Sequence, residues 1–168
     1  KEEFLQKGFL DASLQEICKN AGVTTGALYK RFKGKEELFC ALVESTVQDL
    51  EEVVRQKSAL PTTLTDEQLK KAWDMDREYM QWWFDYLYDR YDEMRLLLVF
   101  SDGTKYANFE HEWVEGMSHT TYAYYKEAQR RGLTKTDISE KELHVMLSSF
   151  WTAICEPLIH GFSKEEAG

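Results

Sequence analysis

The chain has 168 residues, of which 43% are hydrophobic and 14% aromatic, and its formal net charge is −9. This length allows one or two domains with a buried core, and the apolar content excludes a disordered chain. No apolar run approaches the about 18 residues that a membrane span requires, and no signal-peptide pattern is present. The cysteines Cys18, Cys40 and Cys155 lack metal-site spacing, so we expect free thiols in a reducing compartment and a cytoplasmic protein without a membrane partner.

The acidic charge lies in the larger, C-terminal part of the chain. Residues 1–47 contain seven Lys or Arg and seven Asp or Glu, which leaves 14 basic and 23 acidic residues after residue 47. No acidic residue occurs from Val23 to Lys35, whereas four cations do. An acidic body behind this locally basic edge would present only the basic edge to a polyanion.

Two short helices are predicted between residues 13 and 35. Ser13 and Glu16 have the spacing of a capping box, and Gly22 is expected to end the first helix. Thr24 can cap a second helix that opens on small polar residues. The charge alone also fits a solvated basic turn between packed helices. The spacing favours a helix-turn-helix unit, whose second helix enters the major groove.

The residues around this unit follow a known pattern in order and spacing. The matching residues are Gly8-Phe9, Ser13-Leu14-x-x-Ile17, Ala21-Gly22-Val23, Thr24-Thr25-Gly26-Ala27-Leu28-Tyr29, Phe32, Lys35-Glu36-Glu37-Leu38 and Leu42. Residues 8–47, about a quarter of the chain, resemble the DNA-binding domain of the tetracycline-repressor (TetR) family. The resemblance implies a helical, dimeric regulator with a small-molecule effector. Because the chain does not begin with Met, we expect the N-terminal domain to be incomplete.

The rest of the chain is predicted to be helical throughout. A first helix is expected to end at Gly8, and long apolar stripes follow the helix-turn-helix unit. Four later helices are predicted over Gly34 to about Lys57, Thr65 or Asp66 to Phe100 with a bend at Asp89–Asp92, Tyr106 to Arg131, and Ser139 to Phe162 with a kink at Pro157. The fold class is therefore all-α, with a three-helix DNA-binding head over 1–45 and an effector-binding and dimerisation domain over 46–168.

Aromatic side chains are concentrated in the second domain and indicate either a helical core or a ligand pocket with aromatic walls. The candidates for such a pocket are Trp73, Tyr79, Trp82, Trp83, Tyr86, Phe100 and Trp113. The family resemblance implies that the domain holds some pocket. We therefore expect a small, largely apolar or aromatic effector.

His111, Glu115 and His119 share one predicted helix face at spacings of four residues. Two imidazoles and a carboxylate have the chemistry of a divalent-metal site, but a solvated polar face is the favoured interpretation. No nucleophile elbow, phosphate loop or Cys–His pair occurs, so neither a metal, a cofactor nor catalysis is predicted.

The last predicted helix has a broad apolar face with two interpretations. In TetR-like proteins two C-terminal helices per subunit form a four-helix dimer interface, and here only the first of the pair is evident. Either the second helix follows Gly168 or the interface is different. The candidate interface residues are Leu147, Phe150, Trp151, Ile154 and Leu158. The alternative is a core helix of a single subunit.

These observations predict a ligand-responsive DNA-binding transcription regulator, a homodimer on an operator. By resemblance we expect a repressor that its effector releases from DNA. The expected DNA contacts are Thr24, Thr25, Gly26 and Ala27 at base edges or the groove wall, and Tyr29, Lys30 and Lys35 at phosphates. The alternative is a dimeric small-molecule binder or scaffold in which the helix-turn-helix unit is vestigial, which the net neutrality of the head would favour.

Overall fold

The structure is a computed structural model that describes residues 1–58, 61–72, 74 and 76–168. Within these ranges every regular element is helical, which confirms the all-α prediction. The helices are α1 (Glu2–Asp11), α2 (Leu14–Asn20), α3 (Thr25–Arg31), α4 (Lys35–Ser58), a 3-10 turn (Pro61–Thr63), α5 (Asp66–Lys71), α6 (Arg77–Tyr88), α7 (Tyr91–Val99), α8 (Phe109–Arg130), α9 (Glu140–Ile159) and α10 (Lys164–Ala167). None of the described helices has the length and apolar character needed to cross a bilayer.

Helix α1 is kinked rather than ended at Gly8, which corrects the predicted boundary. Gly8 has a φ of 73°, and helical backbone resumes after it as far as Asp11. The kink turns Phe9 inward, where its ring lies 5.6 Å from that of Phe39 on α4, measured between centroids. Phe4 also packs edge-on against Phe39. These three rings form the core that holds α1 against α4.

Helices α2 and α3 are capped largely as their sequence predicts. The Ser13 hydroxyl accepts a hydrogen bond from the Glu16 N–H at 3.4 Å, and Thr24 accepts from the Ala27 N–H at 3.1 Å. The reciprocal half of the predicted box differs, because the Ser13 N–H donates to the buried Glu3 carboxylate at 3.1 Å. A side chain of α1 therefore takes the place expected for Glu16 and ties α2 to α1.

In place of the single helix predicted from Thr65 or Asp66 to Phe100, the structure has three helices, α5, α6 and α7. Asp76 lies within the predicted helix, but its carboxylate accepts from the Tyr79 N–H at 2.8 Å and caps α6. Thr65 caps α5 near the predicted start and forms a capping box with Gln68. A further break at Asp89 and Arg90 separates α6 from α7, near the predicted bend.

Helix α7 is at the centre of the packing. It contacts α1 and α4 on one side and α8 and α9 on another. Its Met94 and Leu96 are fully buried, and Leu97 is only 2% exposed. This apolar run is helical, as predicted. Helix α8 begins at Phe109 instead of Tyr106, because Ser101 and Thr104 close a turn in which Tyr106 lies.

Candidate functional site

The N-terminal end of α3 is open to solvent. Thr24, Thr25, Gly26 and Ala27 are all exposed, and Tyr29 is 57% exposed. Leu28, by contrast, is buried and fixes the opposite face of α3 within the head. The structure thus brings six of the seven predicted DNA-contact residues onto one accessible surface, which consists of Thr24–Ala27, Tyr29 and Lys30. We call these six residues the α3 surface.

Two cations follow the α3 surface and are also exposed, namely Arg31 and Lys33. The Arg31 guanidinium lies 5.5 Å from the centroid of the Phe32 ring, which orients it along the end of α3. The backbone N–H of Lys33 donates to the Glu37 carboxylate, which caps the connection into α4. The basic end of α3 therefore faces outward over a structured turn.

Lys35, predicted at a phosphate, has intramolecular partners in the structure. Its ammonium donates to the carbonyl oxygens of Leu10 at 2.8 Å and Ala12 at 3.0 Å. It also lies 4.8 Å from the centroid of the Phe9 ring. These contacts satisfy the last carbonyls of α1 and join α1 to α4, so Lys35 has a structural role in the head beside any phosphate contact.

The segment between α7 and α8 connects the head to the rest of the chain. The Phe9 N–H donates to the Phe100 carbonyl at 3.0 Å, and the Lys105 N–H donates to the Glu36 carboxylate at 2.9 Å. The Tyr106 hydroxyl donates to Glu44 at 3.2 Å, and burial raises the pKa of this phenol above its ordinary value. Residues 100–106, here called the α7–α8 connection, thus contact both α1 and α4.

A cavity of about 230 Å³ lies among α4, α6, α8 and α9, with the segment between α5 and α6 at its edge. Its walls are mainly aromatic and aliphatic. The lining residues are Val53, Val54, Lys71, Ala72, Asp74, Tyr79, Trp83, Trp113, Met117, Thr120, Thr121, Tyr124, Leu147, Phe150, Trp151 and Ile154. An apolar cavity with a few polar groups is the usual form of a small-molecule site.

Three of the predicted pocket residues line this cavity, namely Tyr79, Trp83 and Trp113. Trp82, Tyr86 and Phe100 are not among its lining residues, and Trp73 lies outside the described residues. Tyr86 packs instead between the Trp82 ring and the Arg90 guanidinium, which is 4.0 Å from its centroid. Helix α6 therefore turns only part of its aromatic surface to the cavity.

The cavity also contains residues that the sequence assigned to a dimer interface. Leu147, Phe150, Trp151 and Ile154 all line it. Trp151 is only 1% exposed, and Leu147 and Leu158 are buried as well. A second copy of the chain cannot reach these three side chains, so the single-subunit core interpretation applies to them. Their helix, α9, packs along α8 for most of its length.

The His111, Glu115 and His119 face has the character of a polar surface. His119 and Glu115 are exposed, and His119 Nδ1 lies 3.1 Å from a carboxylate oxygen of Glu140. The His111 ring instead packs edge-on against the His144 ring at 5.8 Å between centroids. Among the described residues, no group of three His, Cys, Asp or Glu side chains has the arrangement of a metal site.

Residues 1–42 match the family model of the bacterial regulatory proteins of the tetR family. The N-terminal part of the chain is therefore similar to the DNA-binding region of the TetR family. The relatives found by sequence have names that agree with this. They are the HTH-type transcriptional activator FasR of Mycolicibacterium smegmatis, 38% identical over 71 residues, the HTH-type transcriptional regulator SrpR of Pseudomonas putida, 44% over 50 residues, and the HTH-type transcriptional regulator AcrR of Shigella flexneri, 49% over 51 residues.

These matches are local. They cover 42%, 30% and 29% of this chain, and the chain spans only 32%, 24% and 24% of the respective relatives. Among solved structures, one from Mesorhizobium loti assigned to the TetR family aligns over 92% of this chain and 90% of its own, at 18% identity and a TM-score of 0.47. The predicted resemblance to the TetR family is confirmed over the N-terminal part of the chain, and the named relatives are transcription regulators.

Sequence reasoning missed the contributions of α4 and α8 to the cavity. Val53 and Val54 of α4 and Met117, Thr120, Thr121 and Tyr124 of α8 line it and are not among the predicted pocket residues. A signal was present for α8, since residues 113, 117, 120, 121 and 124 recur at helical spacing and define one face. The side of α4 that faces a cavity depends on tertiary packing and has no local signal.

Proposed function

We propose that this chain is a TetR-family DNA-binding transcription regulator that docks the α3 surface in the major groove. The observation that carries the proposal is the open end of α3. Its small residues, Thr24 to Ala27, are exposed and allow close approach of the helix to a groove. Exposed cations follow directly behind them, while the excess negative charge belongs to residues after 47. This arrangement favours one orientation toward a polyanion.

The two kinds of DNA contact have different roles in this proposal. Thr24, Thr25, Gly26 and Ala27 lie near base edges or the groove wall, where small side chains contact hydrogen-bonding groups and thymine methyls. Thr24 has its hydroxyl oxygen engaged as the cap of α3, so its hydroxyl hydrogen remains to be donated. Tyr29 and Lys30 contact phosphates and fix the position of the protein along the duplex. A phosphate contact of Lys35 would have the same role.

The aromatic cavity is the proposed effector site, and the α7–α8 connection is the proposed route to the head. An effector that binds better to one arrangement of α8 and α9 would shift residues 100–106, which bond to α1 and α4. The head then no longer fits its operator. We propose repression with release by the effector, on the family resemblance; one relative is named an activator, so the sign of regulation needs its own reporter assay.

A homodimer is also part of the proposal, because a TetR-like head reads one half of a near-palindromic operator. Recognition helices of the two subunits would be about one helical turn apart, ~34–36 Å. Since Leu147, Trp151 and Leu158 are buried within one chain, the dimer contact moves to the exposed side of α9, where Val145 and Met146 are 63% and 61% exposed. In domain terms, residues 1–45 bind DNA and 46–168 bind effector and dimerise.

The test is binding of the purified protein to a fluorescent duplex from the region upstream of its own gene. We expect this duplex to bind at least about 10³-fold tighter than a scrambled duplex of the same length. Tyr29→Ala should weaken binding to both duplexes, whereas Lys135→Ala, an exposed substitution between α8 and α9, should leave both unchanged. No binding of the wild-type protein to any duplex at low salt would favour the vestigial-head alternative.

A further inference from the structure

Two buried hydrogen-bond donors line the cavity. The indole nitrogens of Trp113 and Trp151 have no hydrogen-bond partner among the residues that the structure describes. Both side chains line the cavity, one from α8 and one from α9, and their ring centroids are 5.4 Å apart. A buried donor without an acceptor is costly and in most native structures has a reason, such as a missing ligand or water.

The charges of the cavity are confined to its edge. Of the lining residues only Lys71 and Asp74 are charged, they are opposite in sign, and both are exposed in the segment around the end of α5. The described walls deeper in the cavity offer aromatic rings, aliphatic side chains and the hydroxyls of Thr120, Thr121 and Tyr124. A charged ligand would lose its hydration there without gaining a counter-ion.

The volume of the cavity limits the size of the ligand. A dry apolar cavity of ~150 Å³ holds benzene, so by proportion about 230 Å³ holds a molecule of about nine non-hydrogen atoms. The rings of Trp83, Trp113 and Trp151 contact one another edge-on or tilted at 5.4 to 6.3 Å between centroids. Their faces and edges suit a flat aromatic ring.

We propose that the effector is an uncharged, single-ring aromatic compound whose oxygen accepts hydrogen bonds from the Trp113 or Trp151 indole N–H. The proposal rests on the cavity being the effector site of the proposed function. The competing account is that these N–H groups are held against the ring of Trp83, which packs edge-on with both indoles. In that account the effector needs no acceptor.

Three probes of nine non-hydrogen atoms separate these accounts. Acetophenone has a carbonyl oxygen, α-methylstyrene has the same shape with a methylene in its place, and benzoate has an anionic carboxylate. Titration calorimetry on the full chain without DNA is expected to give acetophenone at least about tenfold tighter binding than either of the others. Equal binding of acetophenone and α-methylstyrene would overturn the acceptor requirement, and tighter binding of benzoate would overturn the neutral ligand.

The indole N–H signals provide a direct readout. The chain has five tryptophans, so a nitrogen-15 spectrum contains only five indole N–H peaks, which are readily separated. Acetophenone is expected to move the Trp113 or Trp151 peak downfield, and α-methylstyrene is not. Trp113→Phe should assign its peak and reduce the acetophenone preference, whereas Trp82→Phe, outside the cavity, should not. Unmoved peaks with acetophenone bound would overturn the proposal.

Failure here is distinguishable from failure of the regulator proposal. All of these measurements are made without DNA, and duplex binding is measured without probe. If none of the three probes binds while the upstream duplex does, the assignment of the ligand class is overturned and the DNA-binding proposal stands. If the probes bind as expected and no duplex does, the DNA-binding proposal is overturned and the assignment of the ligand class stands.

Discussion

Lys30 and Lys35, two cations of the stretch from Val23 to Lys35, have different environments. Lys30 is exposed on α3, whereas Lys35 caps two carbonyls at the end of α1 and lies against the Phe9 ring. A solvated cation near a phosphate contributes to DNA affinity through counter-ion release. A cation that satisfies backbone carbonyls contributes to the stability of the head.

Replacing each lysine with alanine should therefore have separable effects. Lys30→Ala is expected to reduce the slope of log affinity against log salt by about 1, with the free energy of unfolding changed by less than ~0.5 kcal/mol. Lys35→Ala is expected to lower the free energy of unfolding by about 1–3 kcal/mol. Urea unfolding and salt-dependent anisotropy measure both quantities. Equal losses of stability in the two variants would refute the structural role of Lys35.

Glu127 anchors a network at the C-terminal end of α8. Its carboxylate accepts from the Arg130 guanidinium at 2.7 and 2.8 Å and from Arg131 Nε at 2.6 Å. Arg131 also donates to the carbonyls of Thr62 and Leu64, which ties the segment before α5 to α8. These bonds from Arg130 and Arg131 lower the pKa of Glu127 from 4.5 to about 2.

The stability of the protein should depend on pH through this group. Because the pKa of Glu127 is lower in the folded chain, its stabilisation is complete above about pH 4.5 and is lost as the pH falls toward 2. Glu127→Gln should lower the free energy of unfolding at pH 6 and make its decrease from pH 4.5 to 2 shallower. Urea unfolding from pH 2 to 6 measures this dependence of the free energy of unfolding on pH, and Glu112→Gln, an exposed change, is the control. Parallel curves for wild type and Glu127→Gln would contradict the account.

At the scale of elements, the α7–α8 connection depends on a close approach at Gly103. This glycine has a φ of +86°, and a Cβ added to it would lie 2.5 Å from a methyl group of Leu10 on α1. An alanine there must adopt an unfavourable backbone conformation and displace a side chain of the head. Gly116, in α8, has open space around its Cα and a helical backbone.

Gly103→Ala is accordingly expected to lower the free energy of unfolding by at least about 1 kcal/mol. The matched substitution Gly116→Ala should raise it by about 0.5–1 kcal/mol, since alanine is the better helix former. Thermal and urea unfolding of the two variants provide the comparison. A Gly103→Ala variant as stable as the wild type would show that the connection is not held against Leu10.

Local sequence signals predicted the elements best where a cap and a stripe agreed. Helices α5 and α9 begin directly after Thr65 and Ser139, near their predicted starts. The break before α6 was missed because the apolar stripe continues across Asp76, and only the carboxylate bond to the Tyr79 N–H shows that a new helix begins. The Ser13 N–H donates to Glu3 instead of to the expected Glu16. The sequence could not predict this acceptor, since it depends on how α1 packs on α2.

The candidate sites were predictable to different extents for the same reason. Exposure of the α3 surface follows from residues adjacent in sequence, so six of its residues could be named beforehand. The cavity combines α4, α6, α8 and α9, and the burial of Trp151 in it depends on contacts more than 30 residues apart, such as that with Trp113. A helical stripe alone does not tell whether a residue faces a core, a cavity or a second subunit.

At the scale of the whole molecule, the exposed side of α9 should control assembly. Met146→Glu places a charge at the centre of the proposed subunit contact, so we expect sedimentation velocity to show a shift from dimer to monomer. Glu156→Gln, an exposed change near the other end of α9, should leave the dimer intact. A wild-type protein that sediments as a monomer at micromolar concentration would refute the dimer proposal.

Linkage between the two proposed sites is the corresponding expectation for ligand response. If acetophenone weakens duplex binding by some factor, the duplex must weaken acetophenone binding by the same factor. Calorimetry with and without saturating duplex measures the second factor, and anisotropy measures the first. Binding of both partners without mutual effect would place the cavity outside regulation.

The central claim is that the α3 surface is the part of this chain that contacts DNA. Amide hydrogen exchange at low salt, with and without the duplex from upstream of its gene, tests it most directly. The account predicts that exchange slows over Thr25–Arg31 on DNA binding and is unchanged over the first turns of α8. Protection confined to other helices, with Thr25–Arg31 exchanging as in the free protein, would contradict it.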